Sequence, residues 1–124
     1  MADNVDIPLA GPPNPGAGAT ATVFDTTKGA MTKNRGKMMN VKRVDVCITV
    51  DQQATFFTDW LDPASTTWRT FNGGGAGEVI AANTQFQRSV KRLGWDLRIR
   101  IVTVNAPTVW EVMGVISRDA ALSQ

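Results

Sequence analysis

From Gly94 to Asp119 the chain reads GWDLRIRIVTVNAPTVWEVMGVISRD, with apolar residues at nearly every second position. A period of two belongs to an extended strand with one dry and one wet face, whereas a helix needs apolar residues three and four apart. Trp95, Leu97, Ile99 and Ile101 are expected to point inward, and Asp96, Arg98 and Arg100 outward. Asn105-Ala106-Pro107 breaks the run. The chain then returns with Trp110, Val112, Gly114 and Ile116 on one face and Val109, Met113 and Val115 on the other, so the two halves read as a hairpin. Such a pair needs a sheet to lie on.

The same period runs through the preceding residues. In RVDVCITV, Val44, Val46, Ile48 and Val50 share a face opposite Asp45, Cys47 and Thr49. ATFFTDWL places Phe56, Thr58 and Trp60 on one side and Phe57, Asp59 and Leu61 on the other, with bulk on both. DPAS, at 62–65, has Asp and Pro where a type I turn wants them. TTWRTF, EVIAA and TQFQRSV read as short strands, and NGGGAG at 72–77 as a mobile loop between strands. No segment carries an apolar stripe at helical spacing with start and stop signals. The fold class is therefore all-β: an antiparallel β-sandwich or jelly roll of about seven to eight strands, with an extended N-terminal arm. The sandwich is expected over residues 44–119, followed by a short tail at 120–124.

Residues 1–22 differ from this body. Four of the six prolines (Pro8, Pro12, Pro13 and Pro15) fall there among Gly, Ala and Thr. Proline fixes φ and removes a backbone donor, so the segment reads as an extended arm unable to bury itself. Ile7, Pro8, Leu9, Pro12 and Pro13 are the residues expected to anchor it on a partner. Residues 23–43 form a basic, loop-rich connector. Between Asp25 and Asp45 lie six cations (Lys28, Lys33, Arg35, Lys37, Lys42 and Arg43) and no acid. This strip reads as a solvated loop or as a contact for an acidic partner surface. The absence of stacking aromatics there argues against nucleic acid.

Composition removes most chemistry. There is no histidine, which excludes His general bases, Ser-His-Asp triads and imidazole zinc sites. The single Cys47 has no disulfide partner and no base beside it, and reads as a small buried hydrophobe of an intracellular or cell-assembled protein. Asp59, Asp62, Glu78 and Glu111 show no spacing that would pair two of them for acid–base work; Asp59 and Glu111 read as ordinary outward positions. The glycine cluster leads into a strand and lacks the Lys-Ser/Thr pair of a phosphate loop. Neither a catalytic site, a cofactor, a metal nor a small-molecule substrate is expected, and the chain reads as a non-enzyme. The N-terminus lacks the basic and apolar regions of a signal peptide, and no run approaches the ~20 apolar residues of a spanning helix, so no membrane role is expected. Thirteen cations against eleven acids give a net charge of +2, too even for whole-surface nucleic-acid binding. Trp60, Trp68, Trp95 and Trp110 sit at positions that more often fill a core, with at most one available as a sugar platform. Lys91, Arg92, Arg98 and Arg100 form a second positive patch, read as outward charge that keeps a sheet soluble.

The stretch from VDVCITVDQQATFFTDWLDPASTTW to WDLRIRIVTVNAPTVWEVMGVISRD resembles small β-sandwich structural proteins of tailed bacteriophages. In those, a strand enters DQxAT, xxDWxD and tTW follow, then a Gly-rich stretch, then lRirivtvNapT. The matching positions here are Asp51, Gln52, Ala54, Thr55, Asp59, Trp60, Trp68, Arg98, Asn105, Ala106 and Thr108. The resemblance implies a virion component: a capsid decoration or cement protein on the capsid exterior, assembled in the host cytoplasm. Its partners would be the major capsid protein and neighbouring copies of itself, as dimer or trimer. The alternatives are another tail, fibre or head-completion protein, a carbohydrate- or receptor-binding β-sandwich module, and a coat protein that forms its own shell.

Overall fold

In a computed structural model, residues 4–9, 11–28, 41–92 and 95–119 are described. They form nine β-strands: β1 (Asn4–Pro8), β2 (Thr20–Asp25), β3 (Val41–Val50), β4 (Ala54–Asp62), β5 (Thr67–Thr70), β6 (Glu78–Ile80), β7 (Thr84–Lys91), β8 (Leu97–Thr103) and β9 (Trp110–Asp119). One sheet has the order β1-β9-β3-β7. In the other, β2-β8-β4 is completed by β5 and β6, which pair with successive parts of the far edge of β4. Every pairing is antiparallel. The expected two-sheet sandwich is what forms, and among the described residues no helix is long and apolar enough to cross a membrane.

The alternation sets which faces meet. Leu97, Ile99 and Ile101 of β8 are buried, as are Val44, Val46, Ile48 and Val50 of β3 and Ala54 and Phe56 of β4. These side chains fill the space between the sheets, with Val23, Phe24, Ile80, Phe86, Val90 and Ile116. The Phe56 and Phe86 rings meet there at 5.1 Å, tilted by 58°. Each fully buried side chain of this size contributes about 1.5–3 kcal/mol of transfer free energy, enough in sum to hold a sandwich without disulfides. Trp95 departs from the pattern: it lies before β8 begins and is 44% exposed.

The β8–β9 connection corrects the hairpin expectation. These strands do not pair with each other; β8 belongs to one sheet and β9 to the other. Residues 104–109 therefore cross the sandwich. Both strands turn one apolar face to the same interior from opposite sides, and that produces the same alternation as a hairpin. Among the described residues, three more connections cross at this end: that between β1 and β2, residues 51–53 between β3 and β4, and residues 81–83 between β6 and β7.

The N-terminal segment also differs from the expected free arm. β1 pairs with β9 along the sheet edge, Ile7 opposite Ile116, and Leu9 is buried in the core. Beyond it, Trp110 Nε1 donates to the Pro12 carbonyl (2.8 Å) and Asn14 Nδ2 to the Pro107 carbonyl (2.6 Å). Proline forbids a central strand but not an edge strand, and Pro8 stands at the end of one. Two glycines let the leader lie close: a Cβ at Gly11 would overlap the Val112 carbonyl, and one at Gly114 would overlap the Asp45 carbonyl and press on Leu9. The boundary at residue 22 falls inside β2, whose Val23 and Phe24 are core.

The glycine run is likewise a shaped turn rather than a mobile loop. Gly73, Gly74, Gly75 and Gly77 all have positive φ, a region open to glycine without cost. Asn72 bridges the gap between β5 and β6 on β4: its amide donates to the Phe56 carbonyl (2.9 Å), and its oxygen accepts the Thr58 N–H (3.0 Å).

Candidate functional site

The sequence-predicted binding residues are not gathered into one site. Ile7 packs half-buried against the core, Leu9 is buried, Pro12 is half-buried, and Pro8 and Pro13 are exposed. Of the basic strip, Lys28, Lys42 and Arg43 are exposed, Arg43 pairing with Asp45 at 3.1 Å. Lys33, Arg35 and Lys37 lie outside the described residues. Pro12 sits at the crossing end beside Trp110, whereas Lys28 and Lys42 follow β2 and open β3 at the opposite end.

A charged cluster occupies the outer face of the β2-β8-β4 sheet, and it corrects the reading of Asp59 as an ordinary outward residue. The Asp59 side chain is only 1% exposed. Its Oδ2 accepts from Arg98 Nε (2.9 Å) and Arg100 Nε (2.8 Å), and its Oδ1 from the Thr70 hydroxyl (2.5 Å). Arg98 lies over the Trp68 ring at 4.6 Å and Arg100 over Phe57 at 4.2 Å. Burial alone would raise the Asp59 carboxyl. Hydrogen bonds from Arg100, Thr70 and Arg98 more than offset that, holding it below the ordinary carboxylate range. Arg98 and Arg100 therefore serve as a roof for Asp59, not as solvated surface charge. Both Asp59 oxygens and both guanidiniums are bonded within the sheet, so the cluster cross-links β4, β5 and β8.

The opposite end of the sandwich from the crossings carries an apolar cleft of about 180 Å³, lined by Trp60, Phe71, Leu97 and Trp95 with Lys91, Arg92 and Asp96 at its polar side. Trp60 and Trp95 touch at 4.9 Å between ring centroids, tilted by 48°. The local chain builds it simply. Trp60 sits opposite Leu97 on neighbouring strands, and the Leu61 N–H donates to the Asp96 carbonyl at 3.0 Å, holding Trp95 over the end of β4. Arg92 Nε donates to the Trp95 carbonyl (2.7 Å) and Nη2 to Asp96 (3.3 Å). The sequence missed this cleft because Trp95 carries the right parity for the core but lies outside the strand.

A wider, shallower groove of about 600 Å³ crosses the outer face of the other sheet, among Asp45, Cys47, Gln87, Met113 and Val115. Cys47 is half-buried on this outward face, not in the core where it was expected, and Met113 is 57% exposed beside it.

No family model matches the chain, and no curated protein matches it. Among solved structures, the crystal structure of PBSX exported protein XepA is similar, with a TM-score of 0.61 at 15% identity over 94% of this chain and 37% of that one. The likeness is one of fold. This chain spans little more than a third of XepA's length.

Proposed function

We propose that this chain is a structural component of a bacteriophage particle and, within that class, a decoration protein that binds the outer surface of the major capsid protein lattice and stabilises the head. The observation that carries this reading is how the phage-like motifs meet in space. The DQxAT and NapT stretches are joined through Asp51 and Thr108, and the DW and lRi stretches through Asp59 and Arg98. Residues that carry the likeness in sequence are thus the braces of one β body. The two-sheet fold shared with XepA agrees with that body. A braced body loses little freedom on docking, and many copies on a repeating shell sum modest contacts into large stabilisation.

With the leader built into its own sheet, attachment falls to the faces and ends of the sandwich. The exposed Trp95 beside Trp60 favours a second reading, a carbohydrate- or receptor-binding module. Co-sedimentation with expanded and unexpanded phage heads tests the first. Saturable pelleting at a fixed ratio to the major capsid protein is the expected result. Absence of pelleting, or assembly of the purified chain into particles by itself, overturns it.

A further inference from the structure

The Trp60–Trp95 cleft has walls made almost wholly of carbon: two indoles, the Phe71 ring and Leu97. Phe71 and Trp95 are each 44% exposed, so two large apolar side chains stand at its mouth facing water. Its volume, about 180 Å³, is below the ~300–1,000 Å³ of pockets for drug-sized ligands. It holds one side chain or one ring.

Charge narrows the choice. Lys91 lines the cleft, and Lys42 stands next to it, its carbonyl accepting the Arg92 N–H at 2.9 Å. The one acid on the cleft lining, Asp96, is matched to Arg92. Among the described residues neither Lys42 nor Lys91 forms a salt bridge, and both are exposed, so the rim is net positive. A sugar would need directed donors and acceptors at the walls. The Asp96 Oδ1 already accepts from Thr26 Oγ1 (2.8 Å) and Arg92, and Arg92 is turned to the Trp95 carbonyl. The lining is chiefly an apolar seat inside a positive rim.

We propose that this cleft seats a single apolar side chain, aromatic or leucine-sized, carried on an acidic segment of the partner protein. This rests on the reading of the chain as a particle-binding structural protein and gives that binding a place. The apolar residue is the anchor, seated against the Trp60–Trp95 pair and beside Phe71 and Leu97. The acids flanking it meet Lys42 and Lys91, setting register and speeding encounter.

The test follows the indole N–H resonances of the full-length chain during titration with the capped tripeptide Asp-Phe-Glu. Saturable shifts at Trp60 and Trp95, with Trp68 and Trp110 unmoved, are expected. Binding should weaken by about tenfold between low salt and 0.5 M salt, where the screening length falls to a few ångströms. It should vanish for Asp-Ala-Glu and for the Trp95→Ala chain. Trp95 is exposed, so that variant keeps its fold, which the unmoved Trp68 and Trp110 signals report; Phe71→Ala serves as a second, independent variant. No shift at millimolar peptide, equal shifts with Asp-Ala-Glu, or shifts only with neutral oligosaccharides each overturn the proposal. The capsid experiment separates the two claims. Trp95→Ala chains that still pellet with heads reject this cleft as the contact while leaving the decoration role intact. A wild-type chain that never pellets rejects that role, and the peptide titration still reads the cleft.

Discussion

The Asp51 carboxylate gathers the Thr108 hydroxyl and the backbone N–H groups of Thr108 (2.9 Å) and Val109 (3.1 Å) from 57 and 58 residues away. It stands in the β3–β4 crossing and they stand in the β8–β9 crossing, so one side chain ties together two of the strokes that pass from sheet to sheet. Asn83 N–H donating to the Val50 carbonyl (2.7 Å) brings in a third. The crossing end is thereby closed by polar bonds where the apolar core stops.

Replacing Asp51 by Ala should free the β8–β9 crossing without unfolding the sheets. Amide exchange at Thr108 and Val109 should accelerate in the variant, while core amides of β3 and β8 stay protected. The pH dependence follows from the carboxyl itself, held below its ordinary 3.8 by the Thr108 hydroxyl first and the Val109 N–H next. A depressed folded value means the bond stabilises the fold above that ordinary range and ceases to as pH drops through the lower folded value. The wild-type chain should therefore lose protection at Thr108 and Val109 below pH 3.8, and Asp51→Ala should show no such step. Unchanged exchange at both amides would remove Asp51 from this role.

Asp59 poses the opposite case, a buried carboxylate between two arginines. Asp59→Ala leaves Arg98 and Arg100 facing each other without a counter-ion, and breaking a buried pair from one side costs about 3–5 kcal/mol. Chemical denaturation should show that loss at neutral pH. Because the folded carboxyl is depressed, the gap between wild type and variant should persist at pH values above 3.8 and close as acid protonates Asp59 in the folded state. Changing all three residues together, Asp59→Leu with Arg98→Met and Arg100→Met, should recover most of the stability, since a packed apolar replacement often matches a buried ion pair. A single Asp59→Ala variant as stable as wild type would mean the cluster is ornamental.

How much of this fold is legible in the sequence turns on what alternation can and cannot encode. Val44 to Val50 and Leu97 to Ile101 stated both strand and inward face, because burial on one side of a pleat leaves a period of two. The same period cannot say whether the next strand returns in the same sheet or opposite it, so the Asn105-Ala106-Pro107 break reads as a hairpin although it crosses between sheets. Asp59, Arg98 and Arg100 have the parity of solvated residues; only the register across β4 and β8 brings them together, and register is a tertiary fact. Pro8, Pro12 and Pro13 pointed to an unpaired leader, yet Gly11 and Gly114 mark where a close backbone approach removes a Cβ. Isolated glycines in strand-like surroundings carry that meaning in sequence, and Gly114 inside an otherwise bulky strand was the available signal.

The leader is where structure and sequence pull hardest against each other, and it supplies a sharp test. If β1 and the following turns belong to the body, then Leu9→Ala should destabilise the isolated chain by about 2 kcal/mol or more, as for other buried leucines. Gly114→Val should act differently. Its Cβ would overlap the Asp45 carbonyl of β3 and crowd the Leu9 methyl, so the β3–β9 ladder should loosen around Gly114, the unfolding midpoint should fall, and the leader should become open to limited proteolysis. Trp110→Phe, which removes the hydrogen bond to the Pro12 carbonyl and trims the ring packed on the core, should cost about 1 kcal/mol or more and raise cleavage in the leader modestly. Deleting residues 1–11 should uncover the β9 edge and the seat of Leu9, lowering the unfolding midpoint and favouring edge-to-edge association. If that truncated chain instead melts with full-length stability and stays monomeric, β1 does not stabilise its own sheet, and Ile7 to Leu9 become available to a partner after all.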